Sequence, residues 1–204
     1  MRTSTNKDDQ EVYAIIDRQD LEMGRVFLWG EITEESIQVA IRQMRYIFFA
    51  NKNKMIYVYI HSCGGDWSGA FAMIDEMNGL AQLGATIHTI GLGKAYSSGA
   101  MILSAGTERY ATTNTSMMLH PSAFDSGYDY TPQHSNLIEF IGKEYEAGMS
   151  VIAKNCGYTT KTELKWFLNE IKEGLWLFPK EAIQFGLIDN LWDYRWERDI
   201  TGLE

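Results

Sequence analysis

The apolar run at residues 55–60 constrains the fold more than any other feature of the sequence. It reads Met-Ile-Tyr-Val-Tyr-Ile, and a short polar segment with a glycine pair, Gly64-Gly65, follows it. Such a run is typical of a strand that is buried on both faces in a parallel sheet. Helical spacing of apolar residues then continues from about Ser68 to Leu83. This stretch therefore predicts a unit of strand, turn and helix.

Similar units recur along the rest of the chain. A strand at 25–30 leads into a helix capped by Thr33, and a strand at 85–92 leads into a turn and a short helix. Further strands are expected at 109–112, 116–119 and 175–178, and further helices at 131–155, after Thr160, and from Pro179 to Phe185. Units in this order imply an α/β fold with a parallel-rich sheet. The helix at 131–155 would be about 37 Å long, so part of it is expected to project and meet another subunit.

Composition restricts the class of protein. The 204 residues suffice for one substantial core, and we predict a flexible N-terminal arm at 1–24 and a single domain at 25–204. The formal net charge of −9 and the lack of a basic cluster argue against a nucleic-acid partner. No run approaches the roughly 20 apolar residues of a membrane span. The two cysteines and four histidines show no metal-ligand spacing, and so few cysteines favour a reducing, cytoplasmic location.

Two residues of reactive type stand where predicted strands end. Ser97 lies in the turn GKAYSSGA at 93–100, which places a serine at the start of a helix. Alone, such a string is more often only a turn. His120 ends the strand at 116–119, where a histidine is more often a packed residue. Function gathers at the carboxyl ends of parallel strands, and Gly65, Ser97 and His120 all lie at such ends.

These residues suit nucleophilic catalysis by serine. A serine needs a base within hydrogen-bonding distance, and His120 is the candidate. The tetrahedral intermediate needs two preformed N–H donors, which the backbone of Gly65 and Ser98 can supply. A carboxylate usually orients the histidine. Spacing does not choose among five candidates, which are Asp66, Asp125, Glu170, Glu173 and Asp189.

Four motifs in sequence order resemble the ATP-dependent Clp protease proteolytic subunit (ClpP) family. They are Gly64-Gly65, then G-x-A-x-S-x-G-A at 93–100, then Met-Leu-His-Pro at 118–121, then E-A-I-x-F-G-L-I-D at 181–189. The resemblance covers about residues 25–192. It implies a ClpP/crotonase-like fold of repeated ββα units with a protruding long helix. It also implies a serine endopeptidase that cleaves unfolded polypeptides through an acyl-enzyme.

The resemblance assigns roles to individual residues. Ser97 matches the nucleophile of the family and His120 its base, while Gly65 and Ser98 match the two oxyanion-hole donors. Counting back without gaps from the motif at 181–189 puts Glu170 opposite the catalytic aspartate of the family.

The sequence also departs from the family pattern at several places. Cys63 replaces a usual proline, Ser98 stands where methionine is common, and the His-x-Pro of the family is one residue shorter at His120-Pro121. The loop that follows lacks the family's glycine-rich character.

The resemblance implies an assembly as well as an activity. Members form homo-oligomeric stacked rings, and a hexameric AAA+ unfoldase consumes ATP and feeds polypeptides to them. This chain would then need no cofactor of its own. Tyr57 and Tyr59 lie on the strand whose tyrosines help to form the pocket for that ATPase in the family.

Three alternatives remain open. The first is a catalytically impaired structural subunit of such a ring. The second is a crotonase-type acyl-CoA enzyme, which shares the fold and a glycine N–H oxyanion hole. The third is a serine–lysine peptidase that uses Lys94, three residues before Ser97.

Overall fold

The structure is a computed structural model that describes residues 7–50, 55–121 and 132–195. Seven helices and seven strands lie in these ranges, and a π-helical turn, Tyr46–Ala50, extends the second helix. In chain order they are α1 (Lys7–Glu22), β1 (Arg25–Ile32), α2 (Glu34–Arg45), β2 (Met55–Gly65), α3 (Trp67–Gln82), β3 (Thr86–Tyr96), α4 (Ser98–Ser104), β4 (Glu108–Ala111), β5 (Ser116–Leu119), α5 (Pro132–Asn155), α6 (Lys161–Ile171), β6 (Leu175–Leu177), α7 (Pro179–Phe185) and β7 (Asn190–Leu191).

The sheet is mainly parallel, which confirms the predicted α/β class. Its main path runs β1-β2-β3-β4-β7, with all neighbours parallel. The long strand β3 pairs with β4 through residues 88–91 and then with β5 through residues 94–96. The short strand β6 adds to β5 in the antiparallel direction. This change of partner along β3 brings the end of β3 beside the end of β5.

Strand β2 is buried on both faces, as its apolar run predicts. Ile56, Val58 and Ile60 are 0% exposed and belong to the main core. Tyr57 and Tyr59 point to the other face, where they form a second cluster with Ile90, Tyr110 and Trp192. A strand buried on both faces holds its end in a fixed position, which suits a site built at that end.

Local side-chain chemistry fixes the start of two helices as predicted. The hydroxyl of Thr33 accepts a hydrogen bond from the N–H of Ser36, and the hydroxyl of Ser36 accepts one from the N–H of Thr33. Thr160 and Glu163 form the same reciprocal capping box at α6. Each cap is worth about 1 kcal/mol.

The segment predicted as an N-terminal arm contains helix α1, which the sequence interpretation did not include. Leu21 packs partly against the main core, whereas Ile15 and Ile16 are exposed. The flexibility of the arm stays a prediction, and residues 1–6 lie outside the described ranges.

Helix α5 is packed along its second half and exposed along much of its first. Its 24 residues give a length of about 36 Å. Met149 and Ile152 are buried, but Leu137, Ile138 and Phe140 are 45%, 49% and 61% exposed. The predicted apolar face is thus only partly covered by this chain. Within the described residues, α5 and the other helices all lack an apolar stretch that could cross a membrane.

Candidate active site

Ser97 occupies a sharp turn between β3 and α4. Its φ of 52° makes it the one non-glycine residue with positive φ in the described part of the chain. Such a conformation costs about 1–3 kcal/mol and persists only where surrounding contacts enforce it. Here the N–H of Ser97 donates to the carbonyl of Met118 at 2.8 Å, which ties the turn to β5. A strained strand-to-helix turn of this kind exposes a serine oxygen.

His120 follows the last residue of β5 and reaches the serine. Its Nε2 lies 2.9 Å from Oγ of Ser97, the distance expected for a nucleophile and its base. Tyr96 of β3 pairs with Met118 of β5. Because Ser97 and His120 come just beyond these paired residues, the pairing places them close together. The structure therefore brings together the two residues that sequence reasoning placed at neighbouring strand ends.

The glycine pair at the end of β2 lies directly against this turn. A Cβ added at Gly64 would be 2.7 Å from Cβ of Ser97 and 3.2 Å from the nitrogen of Ser98, and its φ is +96°. A Cβ at Gly65 would be 2.1 Å from the carbonyl oxygen of Ile32. Any side chain would force the two segments apart, so glycine is required at both positions.

The local backbone geometry indicates the direction of each predicted oxyanion donor. Ser98 is the first residue of α4, where an N–H has no acceptor within the helix. At the end of β2 the N–H of Asp66 donates to Ile32 of β1 at 2.8 Å. Successive amides of a strand point to opposite sides, so the N–H of Gly65 points away from β1. The arrangement leaves both groups able to donate to a substrate oxygen.

No carboxylate is hydrogen-bonded to His120 among residues 7–50, 55–121 and 132–195. Its one hydrogen bond there is to Ser97. Glu170 is an exposed residue of α6, and its role stays a prediction. Leu119, the last residue of β5, pairs with Leu175, the first residue of β6. Glu173, just before β6, therefore lies at the same end of this strand pair as His120.

The other candidate carboxylates are placed differently. Asp189 accepts hydrogen bonds from the backbone N–H and the guanidinium of Arg109. Partial burial opposes its charge, but these hydrogen bonds lower the pKa of Asp189, so it is committed to a structural ion pair. Asp66 precedes α3 and packs beside Gly69. Asp125 lies outside the described residues.

Comparison with known proteins identifies the relatives of this chain. The sequence profile described as Clp protease matches residues 7–195. The chain belongs to the Clp protease family. The ATP-dependent Clp protease proteolytic subunit 2 of Treponema denticola is 28% identical over 193 residues, which cover 93% of this chain and 90% of that relative. Clp proteases are serine proteases, and the ClpP fold expected from the sequence agrees with the observed sheet and helices.

Lys94, which lies near the candidate nucleophile of this Clp protease chain, has another partner. Nζ of Lys94 donates to Sγ of Cys63 at 2.8 Å. Its ammonium group is therefore directed to the segment before the glycine pair and not to Ser97. This contact disfavours the alternative in which Lys94 serves as the general base.

Sequence reasoning missed an aromatic patch beside the Ser97–His120 contact of this Clp protease chain. The hydroxyl of Tyr96 is hydrogen-bonded to Ser116 at 2.7 Å, and its ring meets Trp176 edge-on at 5.2 Å. Trp176 is 61% exposed and pairs with Met118 of β5. Alternation along β5 puts Met118 and His120 on one face. The antiparallel addition of β6 to β5, which the sequence does not reveal, creates this patch.

Proposed function

We infer that this chain is a serine endopeptidase subunit of the ATP-dependent Clp type, which cleaves unfolded polypeptides or peptides inside a ring-shaped chamber. The observation that carries the proposal is the 2.9 Å contact between Nε2 of His120 and Oγ of Ser97. A serine held in a strained turn, with a histidine in contact, is the arrangement that acyl transfer requires.

The proposed reaction passes through an acyl-enzyme. Oγ of Ser97 attacks the scissile carbonyl while Nε2 of His120 takes its proton. The N–H groups of Gly65 and Ser98 donate to the oxyanion of the tetrahedral intermediate. His120 then gives the proton to the leaving amine, and a water molecule activated by His120 releases the peptide from Ser97. Glu170 is the proposed carboxylate that orients the imidazole.

The proposed assembly uses surfaces that a single chain leaves exposed. The apolar residues Leu137, Ile138 and Phe140 of α5 fit the contact between two stacked rings of identical subunits. On the outer sheet face, Phe27 stacks on Tyr59 and is 45% exposed, which fits the pocket for a hexameric AAA+ ATPase. That partner would consume the ATP, so we propose no cofactor for this chain, which would act in the cytoplasm.

One observation favours a second candidate, a catalytically impaired structural subunit of such a ring. Within the described ranges, His120 has no hydrogen-bonded carboxylate to hold its tautomer. The impaired subunit would keep the fold and the ring contacts without turnover.

Peptide hydrolysis by purified protein separates the two candidates. We expect wild type to cleave a set of fluorogenic peptides and Ser97→Ala and His120→Ala to be inactive, all with the same circular dichroism spectrum. The mass of the assembly should be the same for all three proteins. A folded, ring-sized wild type without cleavage would favour the structural subunit.

A further inference from the structure

We propose that the side chain of Ser98 is a positioning residue of the oxyanion hole: its hydroxyl holds Gly65, so that the two N–H donors keep a fixed separation. This inference rests on the proposed function and adds to it, since only the backbone of Ser98 enters the reaction described above. The hydroxyl itself contacts no substrate atom and acts through Gly65.

The hydroxyl of Ser98 joins the two donor segments directly. It donates to the carbonyl oxygen of Gly65 at 2.9 Å across 33 positions of sequence. Ser98 is 1% exposed, so its hydroxyl is shielded from water, although Gly65 itself is exposed. Ser98 therefore supplies one proposed donor from its backbone and holds the other donor residue with its side chain.

The remaining contacts of the glycine pair show why this bond matters. The N–H of Gly64 donates to the hydroxyl of Ser62 at 2.9 Å, and Ser62 is 0% exposed. The N–H of Asp66 donates to Ile32 at 2.8 Å. These bonds and that of Ser98 fix the peptide groups before and after the one that carries the N–H of Gly65. The peptide group in between carries the N–H of Gly65, which by alternation along β2 points away from β1.

Glycine makes such fixing necessary. Gly64 and Gly65 have φ values of +96° and +147°, and glycine has more accessible backbone conformations than any other residue. An oxyanion hole is effective because its donors are already in place before the charge develops. The hydrogen bond from Ser98 to Gly65 restricts the glycine backbone in this way.

A matched pair of variants tests the proposal. Ser98→Ala removes the link and keeps the backbone N–H. Ser104→Ala is the control, because Ser104 is also 1% exposed, lies on the same helix, and donates to Met101 within α4. Ser98→Ala loses the bond to Gly65, and Ser104→Ala loses the bond to Met101 and a longer one, at 3.3 Å, that Asn155 donates to Ser104. The control should therefore lose at least as much stability as Ser98→Ala. Ser98→Thr restores a hydroxyl donor at position 98.

We expect Ser98→Ala to lower kcat for peptide hydrolysis between about 10- and 100-fold with KM unchanged. Misplaced donors reduce the stabilisation of the transition state and leave substrate binding as it is. Affinity for a peptide boronic acid, whose adduct with Ser97 occupies the oxyanion hole, should fall in parallel with kcat/KM. Ser104→Ala should keep the wild-type kcat and boronic acid affinity. Ser98→Thr should recover most of the loss.

Three outcomes overturn the inference, and they differ from failure of the proposed function. If Ser98→Ala and Ser104→Ala have the same kcat, the hydroxyl of Ser98 is only structural. The same follows if KM rises while kcat and boronic acid affinity stay at wild-type values. If Ser98→Ala does not fold, a Ser98→Thr protein with wild-type stability and a low kcat would contradict the inference. An inactive, folded wild type would instead remove the proposed function and this inference with it.

Discussion

At the scale of single residues, the backbone of Ser97 has an unfavourable conformation at the candidate site. Its φ of 52° and ψ of −122° lie outside the regions that side chains other than glycine normally adopt. The turn is imposed by its neighbours, since the N–H of Ser97 is held by Met118 and Gly64 leaves room for its side chain.

We predict that Ser97→Gly is more stable than Ser97→Ala by about 1–2 kcal/mol, because glycine adopts this φ and ψ without strain. Both variants lack the nucleophile and should be inactive. Denaturant unfolding of the two proteins measures the difference. Equal stabilities, or a less stable glycine variant, would show that the turn is not strained.

The carboxylate that orients His120 is the least determined residue of the site. If Glu170 has this role, Glu170→Gln should lower kcat on the order of 10⁴-fold, while Glu173→Gln keeps the wild-type rate. Steady-state peptide hydrolysis by both variants decides between them. The reverse result would transfer the role to Glu173, and a loss of only a few-fold in each would mean that Ser97 and His120 act as a dyad.

At the scale of elements, Arg109 of β4 joins three parts of the chain. Besides Asp189, its guanidinium donates to the carbonyl oxygens of Asn155 at the end of α5 and Gly186 after α7, at 2.6 and 2.7 Å. These bonds satisfy carbonyls that helix ends leave without a partner. The ends of the two helices are thereby fixed to the edge of the sheet.

The Arg109–Asp189 ion pair predicts a dependence of stability on pH. Since the pKa of Asp189 is lowered in the folded state, its contribution is present above the unfolded value near 3.8 and is lost as pH falls through the folded value. Because the Asp189 side chain is 37% exposed, Asp189→Asn should cost only about 1–3 kcal/mol at neutral pH. It should also flatten the loss of stability below pH about 4.

Thermal unfolding from pH 3 to pH 7 (roughly the range over which a carboxyl group titrates) tests this prediction. Asp193→Asn is the control, because Asp193 pairs with the exposed Arg195 at the surface. It should change the melting temperature little. Wild type and Asp189→Asn with parallel curves would contradict the prediction.

The elements show which features a sequence can reveal and which it cannot. Thr33 and Thr160 were readable as helix starts because their capping partners are three residues away. The apolar run of β2 was readable because both of its faces are buried. Strand β7 has only two residues and exists through its pairing with β4, so no local pattern marks it. Helix α1 was missed because its sequence is largely polar, and its one apolar patch is partly exposed.

The candidate site also has features that the sequence reveals and features that it does not. Ser97, His120 and Gly65 could be predicted because each ends a strand that is recognisable from sequence. The side-chain link from Ser98 to Gly65 joins residues 33 positions apart, and the contact of Tyr96 with Trp176 depends on how β6 adds to β5. Such contacts depend on tertiary packing, and the identity of the orienting carboxylate depends on it too.

At the scale of the whole molecule, the first half of α5 leaves apolar side chains exposed where the proposed rings would meet. Phe140 is 61% exposed on a helix whose second half is packed. We predict that Phe140→Asp separates the stacked rings and halves the mass of the assembly, because a charge would be buried at their contact. Leu83→Asp, at a residue that is also 61% exposed, should leave the mass unchanged. Analytical ultracentrifugation measures both, and an unchanged Phe140→Asp assembly would place the ring contact elsewhere.

The central claim is that Ser97 is a nucleophile activated by His120. The most direct measurement is mass spectrometry of the folded protein after reaction with a serine-reactive phosphonate, with the adduct located by peptide mapping. We expect one adduct per chain, on Ser97, formed at least about 100-fold more slowly in His120→Ala. A folded wild type that forms no adduct, or forms it on another serine, would contradict this role of Ser97.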